Sequence, residues 1–515
     1  MSGAMNRVDP ASLVAGLRAT SGDTATIIAP FSGQVLHELP LSSLKDVANA
    51  AASARAAQSA WRDAGFAHRR GVLLKAHDLL LERQGELLDT IQTETGKTRG
   101  QAFEEVFEGA SVTRYYAVSA RRVLATRRRR AGIPLVLKTR VSYRPKGLVG
   151  VVTPWNYPLA LSLMDVIPAL AAGNAVIQKA DNQGALSILA SRRAFIDAGV
   201  PAELWTVVTG PGNVIGNALV DAVDHVCFTG STPTGTSVGV RAAGRLVAAS
   251  LELGGKNPLI VLDDANATKT AAQAVYAAFS SMGQLCVAIE RIYVQRAIAE
   301  SFTSAFVERT RSLRLSSALD FSADVGSLTS ADQLERVRAH VDDAIAKGAT
   351  VLAGGAARPE LGPYFFEPTV LTGVTEPMRC FAEETFGAVV AITVVDSEDE
   401  AIAACNASEF ALNASVFSGS MARARRVAER LDAGSVNINE GYRASFSSVD
   451  APMGGMKQSG LGRRNGAEGL LRFVEASTIA EATGLLTLPR NGSEFARLRG
   501  PMVTLLRALK ALRRR

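Results

Sequence analysis

Two rhythms of apolar and polar residues alternate along the middle of the chain. Short unbroken runs rich in Val and Ile read as strands buried on both faces: GLVGVVTP (147–154), NAVIQKA (174–180), LWTVVTG (204–210), HVCFTG (225–230) and NPLIVLD (257–263). Between them, SLMDVIPALAAG, ALSILASRRAFIDAG, VIGNALVDA and TSVGVRAAG carry apolar residues at helical spacing, most of them closed by a glycine. Strand and helix in alternation predict a doubly wound parallel sheet of roughly five strands, the usual home of a dinucleotide. A second α/β series follows Asp263, with helices predicted at 266–282 and 297–313 and strands at RIYVQ, ATVLAGG, AVVAITVVD and GSVNIN.

Ahead of these series, TATIIAP and GQVLHELP predict two short strands about a Ser-Gly turn, and residues 42–125 keep helical spacing with a stop at Gly96. Arg127–Arg130 is a basic cluster without interleaved aromatics, which reads as a solvated turn or an ion-paired subunit contact rather than a nucleic-acid patch. IPLVLKTRVSYRPKG then reads as two short strands.

A chain of 515 residues, 47% apolar and 20% charged, is too long for one core and fits a multidomain α/β enzyme. Its four cysteines, Cys227, Cys286, Cys380 and Cys405, form no CxxC pair, so neither a metal site nor a disulfide framework is expected. The first residues hold no long apolar segment or cleavage pattern, and no run approaches the ~20 apolar residues of a membrane span; a cytoplasmic protein is expected. Charge changes the picture only at the end. Taking the eight Lys/Arg and one Glu beyond residue 484 from totals of 56 and 49 leaves 48 of each sign, so the +7 excess belongs to the tail. The body is electrically balanced, and no nucleic-acid partner is expected. In the tail, Met502, Leu505, Leu506, Leu509 and Leu512 share one helical face, with Arg507, Lys510 and Arg513 towards the other. Weak contact with an anionic membrane surface, packing on a subunit and a solvated extension are the three readings of that face.

Candidate chemistry concentrates between Leu251 and Arg291, where Glu252 stands in a glycine-flanked turn and Cys286 follows Gly-Gln-x. A thiol in that setting is a candidate nucleophile. The other three cysteines read as core residues. Taken in order, PWNYP (Pro154–Pro158), GNAVIQK (Gly173–Lys179), FTGSTPTG (Phe228–Gly235), LELGGKNP (Leu251–Pro258), GQLC (Gly283–Cys286), EETFGAV (Glu383–Val389), GSVNIN (Gly434–Asn439) and APMGGMKQSGLGR (Ala451–Arg463) resemble the aldehyde dehydrogenase superfamily. GQLCVAIERIYV and NEGYRASFSSVDAPMGGMKQSGLGRRNGAEG are most similar to succinate-semialdehyde dehydrogenases of actinobacterial type.

The resemblance implies an aldehyde dehydrogenase-like fold: a Rossmann-type coenzyme domain (1–126 and 146–253), an α/β catalytic domain (254–454) and a small β oligomerisation arm (127–145 and 473–484), followed by the tail at 485–515. It implies Cys286 as nucleophile, Asn156 as oxyanion amide together with the Cys286 backbone N–H, and Glu252 as the base that activates water. Lys179 would hold the adenosine ribose, Gly230 and Ser231 the pyrophosphate, and Glu384 and Phe386 the nicotinamide side, with Pro154, Trp155 and Leu253 as further coenzyme contacts. Asn182 stands where many NAD-specific members carry a Glu, which points to NADP or to use of both coenzymes. A small-molecule aldehyde is the implied substrate. Succinate semialdehyde would want an arginine for its carboxylate. Met164 and Asp165 occupy the place where some relatives put one, leaving Arg291 and Arg443 as candidates. The Ile133–Tyr143 hairpin and the strand at 476–480 match subunit-joining elements, so a homodimer or homotetramer is implied.

Overall fold

The computed structural model describes residues 9–133, 136–485 and 487–512, so Pro134 and Leu135 of the expected hairpin and Arg513 of the tail lie outside it. Thr24–Ile28 and Val35–Pro40 pair antiparallel, and four helices follow between Leu44 and Val123. The third, Gln84–Thr95, ends where Gly96 turns left-handed at φ 78°; a Cβ there would also meet Pro30 at 2.9 Å. The fourth, Arg99–Val123, lays one face against the helix Pro158–Ala172, with Gly109 letting Leu159 and Leu163 approach.

The first large sheet has six strands in the order Gly460–Leu461, Ala248–Glu252, His225–Thr229, Leu148–Thr153, Ala175–Ala180, Trp205–Val208. All pairings are parallel except that of the short outer strand Gly460–Leu461. The chain runs outward from Leu148–Thr153 in one direction, then returns to place His225–Thr229 on its other side. The topological switch point therefore lies between these two strands, at whose carboxyl ends a crevice opens. The turns beginning at Pro154 and Gly230 sit there.

One strand expectation for this sheet needs correction. NPLIVLD is not the fifth strand of this sheet. Asn257–Val261 lies inside a second sheet, of seven strands, between Ile289–Gln295 and Asn413–Phe417. The fifth parallel strand is Ala248–Glu252, whose first residues are small and partly exposed and therefore lack the Val/Ile signature of a buried strand. Leu253–Lys256 thus carries the chain from one sheet to the next, and its glycines allow that close passage. A Cβ on Gly254 would lie 2.5 Å from Glu384 Oε2, and one on Gly255 2.7 Å from the Cys286 carbonyl.

The third sheet is antiparallel, with Leu137–Pro145 between Arg127–Arg129 and Val474–Ala482. The basic cluster is thus an edge strand rather than a turn, and 137–145 is one long strand rather than two short ones. Most of Val474–Ala482 is exposed. Beyond it, Gly492–Ala511 forms a helix capped by Asn491, with none of its residues buried. Among the described residues no helix is long and apolar enough to cross a membrane.

Candidate active site

The PWNYP turn is held by groups that local motifs do not reveal. Lys97 Nζ donates to the Asn156 carbonyl at 2.6 Å, pairs with Glu105 and lies 3.7 Å over the Tyr157 ring. Glu105 in turn accepts the backbone N–H groups of Leu159 (2.9 Å) and Ala160 (3.1 Å) at the start of Pro158–Ala172. A carboxylate at a helix N-terminus satisfies donors that have no partner within the helix and meets the positive end of its dipole. Lys97 and Glu105 are both buried, so the turn is pinned by an ion pair shielded from solvent. Asn156 Nδ2 donates to the Gln284 carbonyl at 2.9 Å, and the second hydrogen of that amide remains for another acceptor.

The thiol arrives on an unusual backbone path. Ser281, Met282 and Gly283 all lie in left-handed conformation, at φ 49°, 58° and 70°. Three such residues in succession reverse the chain after the helix Ala267–Phe279 and lead it into the strand Ile289–Gln295. Gly283 has a further reason to be glycine, since a Cβ would lie 2.2 Å from the Gly387 carbonyl. Gln284 is fixed by its side-chain bonds with the Ser281 carbonyl and the Thr329 N–H. Asn257 Nδ2 holds the Cys286 carbonyl at 2.7 Å.

Cys286 and Glu252 face one cavity of about 190 Å³ at the seam between the two sheets. Burial pushes the Cys286 thiol up to about 12, and the Glu384 and Glu252 carboxylates add to the effect. Glu252 ends its strand 5% exposed, and its Oε1 has no hydrogen-bond partner. Burial pushes its carboxyl up to about 7, against the opposing pull of Arg464 and Arg472. Those arginines bind the buried Asp165, Arg464 through Nε (2.9 Å) and Nη2 (2.6 Å) and Arg472 through Nη2 (2.6 Å). Arg464 also bonds Thr229, the parallel register partner of Glu252. A buried carboxyl of this kind, neutral or ionised near pH 7, is suited to take a proton from water.

Pro154, Trp155, Asn156, Gly230, Ser231, Leu253, Glu384 and Phe386 face the same cavity, so the structure brings them together with Glu252 and Cys286. Glu384 accepts the Gly255 N–H at 2.8 Å, and burial with the nearby Glu290 pushes its carboxyl up to about 7. Phe386 has φ 54°, a conformation held by Glu290 accepting its N–H and by Gln333 donating to its carbonyl. Its ring meets Trp155 edge-on at 5.8 Å. Ser231 caps the helix Thr232–Ala243, whose free N–H groups suit an anion.

Lys179 and Asn182 stand outside this cavity, at and just beyond the end of Ala175–Ala180. Lys179 is buried without an ion pair among the described residues, and burial lowers its pKa. Asn182 accepts the Gly210 N–H at 3.0 Å, and Asp181 is turned to the Gln183 N–H at 3.0 Å. A buried ammonium without an ion pair at one strand end, and a helix N-terminus at Ser231 on the cavity, are groups that fit a phosphate-bearing coenzyme.

The two candidate substrate arginines are engaged with other groups and stand outside this cavity. Arg291 donates to the carbonyls of Lys256 (2.8 Å), Ala404 (3.2 Å) and Cys405 (3.4 Å) and to the Tyr293 hydroxyl, so its guanidinium holds the helix end at 404–405. Arg443 is bound by Glu440 (2.9 Å) and Gln273 (3.0 Å) and lies 4.3 Å over the Tyr276 ring. Neither lines the cavity of Cys286. Cys227, Cys380 and Cys405 are buried.

Comparison with known proteins decides the family. The aldehyde dehydrogenase family model matches residues 17–479. The chain belongs to the aldehyde dehydrogenase family. Among relatives of this aldehyde dehydrogenase, a Mycolicibacterium smegmatis protein named "Putative succinate-semialdehyde dehydrogenase [NADP(+)]" is 48% identical over 94% of this chain and 93% of its own. The mitochondrial succinate-semialdehyde dehydrogenase of Oryza sativa is 37% identical over 90% and 87%. Betaine aldehyde dehydrogenase of Staphylococcus aureus, solved with NAD+, superposes with a TM-score of 0.87 at 30% identity, covering 92% of this chain and 95% of that one. An E. coli NADP-dependent enzyme gives 0.87 at 32% identity, over 90% and 96%.

Proposed function

We propose that this aldehyde dehydrogenase oxidises an aldehyde to its carboxylic acid with NADP or NAD, through a thioester on Cys286. The observation that carries the reading is the meeting of a thiol, a buried amide and a buried unpartnered carboxylate on one cavity at the seam of two sheets. Cys286 Sγ attacks the carbonyl carbon as its proton passes to solvent, and the developing alkoxide accepts a hydrogen bond from the free N–H of Asn156 Nδ2. Such a donor is typically worth about 3–4 kcal/mol of barrier. A nicotinamide coenzyme held beside Cys286 would supply the acceptor for the hydride on the former aldehyde carbon, leaving a thioester. Glu252 then removes a proton from water, which attacks the thioester; the acid is released and the leaving Cys286 thiolate recovers that proton from Glu252. Residues 1–126 and 146–253 serve as the coenzyme domain, 254–454 as the catalytic domain, and 127–145 with 473–484 as the arm.

Lys179, Gly230 and Ser231 would hold the adenosine ribose and phosphates, and Glu384, Phe386, Trp155, Pro154 and Leu253 the nicotinamide side. Asn182 presents no anion to a 2′-phosphate, and Asp181 is engaged with its own turn, which supports NADP. Succinate semialdehyde is the substrate suggested by the names of the relatives. A second reading, a broader range of aliphatic aldehydes, is favoured by the engagement of both Arg291 and Arg443 with other groups. The exposed strand Val474–Ala482 supports a homodimer or homotetramer, because a bare sheet edge invites pairing. We place the enzyme in the cytoplasm.

The test is a matrix of initial rates, succinate semialdehyde and hexanal against NADP and NAD. The reading expects succinate semialdehyde with NADP to give the highest kcat/KM. Hexanal in first place would establish the second reading. No reduction of either coenzyme by any aldehyde would refute both.

A further inference from the structure

The helix Gly492–Ala511 is outside the matched family region and unexplained by the active site. It is a folded element with no buried residue. Pro501 in its interior weakens the helix on its own, and most helical stability in proteins comes from packing an apolar face. Phe495, Leu498, Met502, Leu505, Leu506, Leu509 and Leu512 recur at three- and four-residue intervals, which places them along one stripe. Phe495 (54%), Leu506 (61%) and Leu512 (65%) are largely exposed. The flanks carry Arg497, Arg499, Arg507 and Lys510, with Glu494 the one acid.

Charge selects the occupant of that stripe. The body up to residue 484 is balanced at 48 basic and 48 acidic side chains, so it offers no excess negative charge to the tail. A second copy of the helix would set like charge against like along the whole contact. An anionic surface accepts the basic flanks and the apolar stripe together.

We propose that residues 490–512 dock, apolar stripe inward, on the headgroup region of an anionic lipid bilayer. The helix lies in the interface and does not span it, in keeping with its one apolar stripe and its basic flanks.

The experiment is co-sedimentation of the full-length chain with phosphatidylcholine vesicles and with vesicles in which part of that lipid is replaced by phosphatidylglycerol. Binding to the anionic vesicles, weak binding to the neutral ones and release by high salt are expected. Each basic side chain near the surface is worth a factor of about five, so the pair Arg497→Gln and Arg507→Gln should weaken binding about 25-fold. Leu505→Glu with Leu509→Glu should abolish it. Both pairs should leave aldehyde oxidation in free solution unchanged, which also shows that the variants fold. Equal binding to neutral and anionic vesicles, or none to either, would overturn the proposal. So would a change of oligomer size in the leucine variants without vesicles, because the stripe would then pack on a second copy.

Discussion

Glu252→Gln should separate two properties that the buried carboxyl joins. The wild-type carboxyl lies near 7, against 4.5 for the same group in water. A raised carboxyl pKa means that the folded protein keeps its proton at pH values where the unfolded chain has lost it. Stability therefore falls as pH rises from about 4.5 to about 7, and the full cost is present above that window. A shift of about 2.5 units corresponds to about 3 kcal/mol, a burden that the neutral amide lacks. For a chain of 515 residues melting cooperatively, that energy moves Tm by about 3 °C. The assay is a thermal scan of both proteins from pH 5 to pH 8.5. Glu384, whose carboxyl is also raised to about 7, is present in both and cancels in the difference. The Gln variant should gain on the wild type as pH rises, by about 2 °C between the ends of the range, since part of the cost is already present at pH 5. Any fixed offset reports only the packing of the amide. A difference that does not change with pH would refute the raised carboxyl.

Lys97→Met should leave Glu105 buried without its cation and cost about 3–5 kcal/mol, seen as a lower Tm, while slowing acylation through a loosened Asn156 turn. If the variant melts normally, the pair does not fix the turn. Asn182→Glu should lower kcat/KM for NADP at least tenfold while sparing NAD, measured at fixed aldehyde; equal losses would remove this position from coenzyme choice. Arg443→Ala should change KM for succinate semialdehyde and for hexanal alike, because its guanidinium is held by Glu440 and Gln273. A rise confined to the semialdehyde would return Arg443 to the substrate site. Gly283→Ala should fail to accumulate as soluble enzyme or lose activity, since its Cβ would strike the Gly387 carbonyl.

The strands of the first sheet were legible wherever both faces are buried, because unbroken Val/Ile runs mark them. Ala248–Glu252 was hidden by its small, half-exposed residues, and NPLIVLD was misplaced because periodicity identifies a strand and not its sheet. Cys286, Glu252 and Asn156 stand in short motifs with glycine or proline neighbours, so the sequence displays them. Lys97, Glu105 and the Asp165–Arg464–Arg472 cluster carry no local mark. They lie far apart along the chain, and only the fold brings them into contact. The engagement of the two arginines was hidden for a related reason. A guanidinium engaged by carbonyls or a neighbouring carboxylate looks the same in sequence as a free one. The left-handed run at Ser281–Gly283 was equally invisible, since serine and methionine do not advertise positive φ.

The central claim is that Cys286 and Glu252 divide the reaction into acylation and hydrolysis. Rapid mixing of Glu252→Gln with saturating coenzyme and aldehyde, followed by absorbance of the reduced coenzyme, tests it most directly. The account predicts a burst of about one reduced coenzyme per active site, then a steady rate lower by a factor of roughly 100 or more. Undiminished steady turnover in that variant would contradict it.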